Sequence, residues 1–135
     1  MTDASTAPPQ ITVAIVDDDA SVRASLSRMC QVFGLDVKTY AAGIEFLASL
    51  ADGGVRPDCL LLDAHMPQMT GSELLQHLTA RGMHMPTIVF TADDTPDVRA
   101  RYTASGFVAY LQKPVSAARL FESIEQAVRH RNVTS

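Results

Sequence analysis

The chain predicts an α/β fold, a parallel sheet covered by helices on both faces, and two observations carry that expectation. Apolar runs of strand length at residues 11–16, 35–40, 59–62, 87–90 and 107–111 alternate strictly with segments whose apolar residues recur at helical spacing. Parallel neighbours need crossover connections, and right-handed crossovers distribute the helices over the two faces. The second observation is chemical: Asp17-Asp18-Asp19, Asp63, Thr91 and Lys113-Pro114 each lie where one of these runs ends. Such sheets bind ligands beyond the carboxyl ends of their strands, so the four segments are predicted to meet on one rim.

The first strand, residues 11–16, leads into a helix in which Val22, Leu26, Met29, Cys30 and Phe33 share a face and Gly34 supplies the stop. After the second strand, a helix around residues 44–50 is the weakest element, because Gly43 costs propensity and no good N-cap precedes it. The third strand ends at Asp63. Thr70-Gly71-Ser72-Glu73 is then a capping-box pattern opening a helix with Leu74, Leu75 and Leu78, which stops near Arg81-Gly82. Thr95-Pro96 offers the fourth helix an N-cap with proline at its first position, and Gly106 follows its far end. In the last helix Leu120, Phe121, Ile124, Ala127 and Val128 form the core face, while Glu122, Glu125, Gln126 and Arg129 turn to water. Tyr102, Phe107 and Tyr110 are left as the expected lining of a partner surface.

At 135 residues with 47% hydrophobic content, the chain suits one domain with a real core. The expected division is a flexible leader at residues 1–10, the domain at 11–131 and a tail at 132–135. A net charge of -4 with no basic run argues against direct nucleic-acid binding. No apolar run approaches the roughly 18 residues of a membrane span, and the leader lacks the charge and apolar stretch of a signal peptide, so a cytoplasmic protein is expected. Cys30 and Cys59 fit neither a disulfide framework nor a zinc site and are expected to be buried thiols.

Carboxylates crowded as in Asp17-Asp18-Asp19 repel by ~4 kcal/mol per pair at ~4 Å and an effective dielectric near 20. A divalent cation would relieve this, and an all-oxygen donor set suits Mg²⁺. Taken alone, the same three residues are equally a solvated turn capping the first helix. Lys113 is a compact charge on a long stem, suited to an oxygen of a phosphoryl group, and the Thr91 hydroxyl can donate to another. Singly, they read as a surface lysine beside a turn proline and a threonine finishing a strand. Their coincidence at successive strand ends favours one shared site.

On Val16-Asp17-Asp18, Leu61-Leu62-Asp63-Ala64-His65-Met66-Pro67, Gly71, Val89-Phe90-Thr91-Ala92 and Tyr110-Leu111-Gln112-Lys113-Pro114, the chain resembles the receiver domains of two-component response regulators, the CheY-like superfamily. The match runs from about residue 11 to 131. The Met66-Pro67 and Thr70-Gly71-Ser72-Glu73-Leu74-Leu75 wording is similar to receivers of the nitrogen-fixation and nitrate-response regulator class. The resemblance implies a doubly wound (βα)5 flavodoxin-like domain with strand order 2-1-3-4-5. It also implies that Asp63 accepts a phosphoryl group from a sensor histidine kinase in a phosphorelay, with no enzymatic turnover beyond self-phosphotransfer and autodephosphorylation. Asp17, Asp18, Asp63 and the backbone carbonyl of His65 would hold Mg²⁺, replaceable by Mn²⁺. Thr91 and Lys113 would contact the phosphoryl oxygens, Thr91 and Tyr110 would form the switch, and the Lys113-Pro114 bond would be cis.

Further partners implied are a histidine phosphotransfer protein or a downstream target. A homodimer is expected through the last two helices and fifth strand, or through the first and last helices. Only residues 114–135 follow Lys113, which predicts a stand-alone receiver that works by docking, by relay or as a phosphate sink. Three places depart from the usual pattern. His65 puts an imidazole two residues past the acceptor, where it would alter water access or contribute only its carbonyl. Val115 stands where many receivers carry phenylalanine, and Asp93 and Asp94 line the outer mouth. Two alternatives stay open: a Mg²⁺-dependent phosphohydrolase of the haloacid-dehalogenase type built on Asp17-x-Asp19, and the receiver fragment of a DNA-binding transcriptional regulator.

Overall fold

The computed structural model describes residues 10–54, 56–92, 95–103 and 109–134. Among these, strands and helices alternate as β1 (Thr12–Val16), α1 (Ala20–Val32), β2 (Asp36–Tyr40), α2 (Gly43–Ala51), β3 (Cys59–Asp63), α3 (Gly71–Ala80), β4 (Thr87–Thr91), α4 (Pro96–Thr103), β5 (Ala109–Gln112) and α5 (Ala117–Thr134). All neighbouring strands pair in parallel, in the order β2-β1-β3-β4-β5.

Because successive strand side chains point to opposite faces, each central strand feeds two cores at once. Ala14, Val16, Leu60, Leu62 and Val89 pack with Phe46 and Leu47 of α2, Leu74, Leu75 and Leu78 of α3, and Val98 and Tyr102 of α4. Their neighbours Val13, Ile15, Cys59, Leu61, Ile88 and Phe90 pack with Leu26 and Cys30 of α1 and Leu120, Ile124 and Ala127 of α5. Burial of both faces explains why the β3 run is apolar without alternation. Truncating one of these leucines to alanine would cost ~2–5 kcal/mol. Leu120 and Ile124 are buried, and Phe121 and Val128 pack half-buried beside them, so the last helix keeps its apolar face for the core.

Local chemistry sets the helix ends. Asp19 Oδ1 accepts from the Ser21 and Val22 N–H groups at 2.8 and 3.4 Å, capping α1. Gly34, at φ 79°, closes that helix in a left-handed turn that lets the Leu35 N–H reach the Cys30 carbonyl at 3.1 Å. The Thr70/Glu73 capping box is present in full, with bonds of 2.8 and 3.1 Å. Thr95 Oγ1 caps α4 by accepting from the Val98 N–H at 3.2 Å. At α2, Ala42 has no capping side chain, but Glu45 accepts from the Ala41 N–H at 3.3 Å.

Two strands run one residue further than their apolar runs. The Ala64 N–H donates to the Phe90 carbonyl and the Lys113 N–H to the Thr91 carbonyl, both at 2.8 Å, so the ladder continues through Asp63 and Thr91. Tyr102 requires a correction. It was expected on a partner surface, but it is 1% exposed, because Val98 and Tyr102 stand four apart on a short helix and both face the sheet. Its hydroxyl donates to the Ala64 carbonyl at 2.7 Å. Phe107, Gly106 and residues 1–9 lie outside the described residues.

Candidate functional site

Strand register brings the predicted residues together. Val16 lies opposite Leu62, so Asp17 and Asp63 leave adjacent strands at one level. Asp63 in turn pairs with Phe90, and Thr91 pairs with Gln112, which sets Thr91 and Lys113 on the same rim. Asp17 and Asp63 are buried and Asp18 is exposed, with carboxylate oxygens of all three within 4.8 Å of one another. Lys113 Nζ reaches over them, 3.1 Å from Asp17 Oδ2 and 3.3 Å from Asp63 Oδ1.

Backbone donors orient the acids. The Asp19 N–H donates to Asp17 Oδ1 at 2.9 Å and the His65 N–H to Asp63 Oδ1 at 3.2 Å. Arg23 Nη1 donates to the Asp17 carbonyl at 2.7 Å and tethers the acidic loop to α1. Asp19 uses its own carboxylate on Ser21 and Val22, so the run Asp17-Asp18-Asp19 serves both expected roles: two acids join Asp63 and the third caps a helix.

Burial pushes the Asp63 carboxyl up to about 6, and Asp17 adds to the effect, while Lys113 and the His65 N–H act in the opposite direction. For Lys113 burial favours the neutral amine, but Asp63 and Asp17 outweigh it and hold the ammonium above its ordinary value. Hydrogen bonds from Ser21 and Val22 hold Asp19 below the usual carboxylate range. The site thus gathers more negative charge than one lysine balances. A hard oxygen donor set of this kind fits Mg²⁺, which usually takes one or two protein carboxylates and completes its shell with water and other oxygens.

Thr91 is fully buried at the end of β4, and Tyr110 is half-buried on β5. The Arg99 guanidinium lies 4.6 Å from the Tyr110 ring centroid, and the Tyr102 ring is 6.4 Å from it, tilted by 48°. His65 is exposed, and the Lys113-Pro114 bond is cis. Val115 packs half-buried against the α1–α5 core and lines a cavity of about 270 Å³ with Leu26, Met29 and Phe90. Asp93 and Asp94 lie outside the described residues. Both cysteines are buried thiols, and burial pushes Cys30 up to about 11 and Cys59 higher still. Arg23, Arg99 and the Tyr102 hydroxyl were missed from sequence. Only Tyr102 carried a signal, its spacing of four from Val98.

Fold and rim define a doubly wound α/β protein whose strand ends present an acidic, lysine-bridged site. The model of the response regulator receiver domain matches residues 13–125, and the chain belongs to that family, the receivers of two-component systems. It is 36% identical over 119 residues to the transcriptional regulatory protein FixJ of Rhizobium meliloti, covering 88% of this chain and 57% of that protein. With the regulatory protein TdiR of Thauera aromatica the identity is 34%, over 87% of this chain and 51% of the relative. The chain therefore spans about half the length of these relatives. Among solved structures, FixJ-N superposes with a TM-score of 0.82 at 35% identity, covering 91% of this chain and 97% of the other. A CheY-like receiver domain protein from Methanospirillum hungatei gives 0.85 at 26% identity, with 94% and 100% covered. No described helix is long and apolar enough to cross a membrane.

Proposed function

We propose that this receiver accepts a phosphoryl group on Asp63 from the phosphohistidine of a sensor kinase and signals through the α4–β5–α5 side. The convergence of Asp17, Asp18 and Asp63 under the Lys113 ammonium carries the reading. Lys113 and the His65 N–H both meet Oδ1 of Asp63, so Oδ2 is the oxygen whose lone pairs they leave uncommitted. Oδ2 attacks phosphorus in line, the P–N bond of the donor breaks, and the departing imidazole takes a proton. The product is an acyl phosphate on Asp63, and hydrolysis later returns the carboxylate.

Asp17, Asp18, Asp63 and the His65 carbonyl would hold Mg²⁺, with Mn²⁺ as a substitute. When bound, that ion supplies positive charge against the equatorial phosphoryl oxygens. Lys113 needs only to swing from carboxylate to phosphoryl oxygen, and the Thr91 hydroxyl donates to a second oxygen. Positive charge and a hydroxyl dipole already gathered at this rim stabilise the transition state with only a short movement of each side chain. Thr91 moving toward the phosphoryl group makes room for Tyr110, and the two packings of α4 and β5 exchange populations. Output follows by docking to a downstream target or a second copy, by onward transfer to a histidine phosphotransfer protein, or by draining phosphate, with no external substrate turned over. The phosphohydrolase alternative loses support because Asp19, the second acid of its motif, is committed to capping α1.

Replacing Asp63 by asparagine tests the assignment. Labelled acetyl phosphate and a labelled kinase should transfer phosphate to the parent chain and none to Asp63→Asn. Label on the asparagine variant would overturn it.

A further inference from the structure

Ala64 sits between the proposed acceptor and His65 and is 2% exposed, so both of its polar backbone groups must be satisfied inside the protein. Its N–H donates to the Phe90 carbonyl at 2.8 Å, and its carbonyl accepts from the Tyr102 hydroxyl at 2.7 Å. That carbonyl and the His65 N–H belong to one planar peptide unit. The N–H end of the same plane donates to Asp63 Oδ1 at 3.2 Å. Tyr102 therefore grips one end of a rigid plate whose other end holds the acceptor carboxylate. Turning the plate to satisfy either end differently would break both bonds.

The space around the hydroxyl is closed. A Cβ at Gly71, the first residue of α3, would stand 2.5 Å from Tyr102 Oη and 2.7 Å from the Asp63 carbonyl. The hydroxyl thus lies between α3, α4 and the acceptor loop with its direction fixed by packing. Hydrogen bonds locked by close packing position a neighbouring ligand more tightly than surface bonds do.

We propose that Tyr102 is a positioning residue for the acceptor: from α4 it fixes the Ala64–His65 peptide plane and, through the His65 N–H, the orientation of the Asp63 carboxylate toward Mg²⁺. This rests on the phosphoryl-acceptor reading of Asp63. It also gives α4 a direct mechanical link to the acceptor, separate from Thr91 and Tyr110. Displacement of α4 far enough to part the Tyr102 hydroxyl from the Ala64 carbonyl would loosen the plate, and loading of the site would steady that bond.

The test is Tyr102→Phe, which keeps the ring and removes the hydroxyl, beside Val98→Ala, which weakens α4 packing but keeps the Tyr102 hydroxyl. Calorimetric titration of the unphosphorylated chain with Mg²⁺ alone should show a Kd raised about fivefold in Tyr102→Phe, the worth of one hydrogen bond. The His65 amide should exchange with solvent faster in the same variant. Val98→Ala should lower Tm while leaving Mg²⁺ affinity and the His65 amide as in the parent. If Tyr102→Phe lost Tm alone, or if Val98→Ala weakened Mg²⁺ equally, the positioning role would be refuted. Absence of label on Asp63 in the parent would instead refute the acceptor reading, since neither the Mg²⁺ titration nor the amide measurement requires phosphorylation.

Discussion

On the β1–β3 side of the rim, each buried carboxylate is pinned by a backbone N–H and leaves the end of a strand buried on both faces. On the β4–α4–β5 side, α4 is eight residues long, and its described side chains bury only at Val98 and Tyr102. Asp17 and Asp63 therefore leave strands buried on both faces, while Tyr110 stands beside a short helix with two buried anchors among its described side chains. Local opening costs least where few apolar contacts must be broken, so the α4 side is where two packings can lie close in free energy. The proposed acceptor and the proposed reporter need opposite properties, and they stand on opposite sides of one rim.

The sharpest way to break this contrast is at Lys113. Lys113→Ala removes the cation shared by Asp17 and Asp63, and the initial labelling rate with acetyl phosphate should fall on the order of 100-fold at saturating Mg²⁺. A rate equal to the parent's would mean that Lys113, which follows β5, does not supply the charge balance for the carboxylates of the β1–β3 side.

Next in size is the pH dependence that Asp63 imposes. With its folded value at about 6, above the ordinary 3.8, the folded chain binds this proton more tightly than the unfolded chain does. Its contribution is fully present below the unfolded value and is lost as pH rises through about 6. The gap corresponds to about 3 kcal/mol at most. In metal-free buffer near neutral pH, urea unfolding should find Asp63→Asn about 2 kcal/mol more stable than the parent. The advantage should vanish at acid pH. A less stable asparagine variant under neutral, metal-free conditions would show that the acidic cluster is not strained.

The smallest effect belongs to the reporting side. Arg99→Ala removes the guanidinium from the Tyr110 ring, and stability should fall by only about 0.5 kcal/mol, as for an exposed cation–π contact. Ring resonances of Tyr110 should nevertheless shift, because the group covering it has gone. A loss several times larger in urea unfolding would show α4 to be anchored as firmly as β1 and β3, and the contrast would fail.

Much of this was legible in the residues. The five runs marked the five strands, with burial on both faces keeping β1, β3 and β4 apolar while the edge strand β2 carries exposed Asp36, Lys38 and Thr39, and the Thr70-Gly71-Ser72-Glu73 box marked a helix start that formed as read. The acidic run was legible only as a choice between metal cluster and helix cap. Tertiary register resolved it residue by residue, since Val16 opposite Leu62 carries Asp17 to Asp63 while Asp19, two residues on, already lies at the start of α1. Tyr102 is buried because its spacing of four from Val98 puts both on the sheet-facing side of α4, a local signal present in the sequence.

By itself, the order of residues determined which groups stand at strand ends, because period and polarity are local properties that each segment carries with it. Only the tertiary structure decided which of those groups touch. The Lys113–Asp63 contact spans 50 positions, the Lys113–Asp17 contact 96, and the Tyr102–Ala64 bond 38. Contacts that distant in the chain depend on sheet order and on how a helix docks, and no local pattern encodes either.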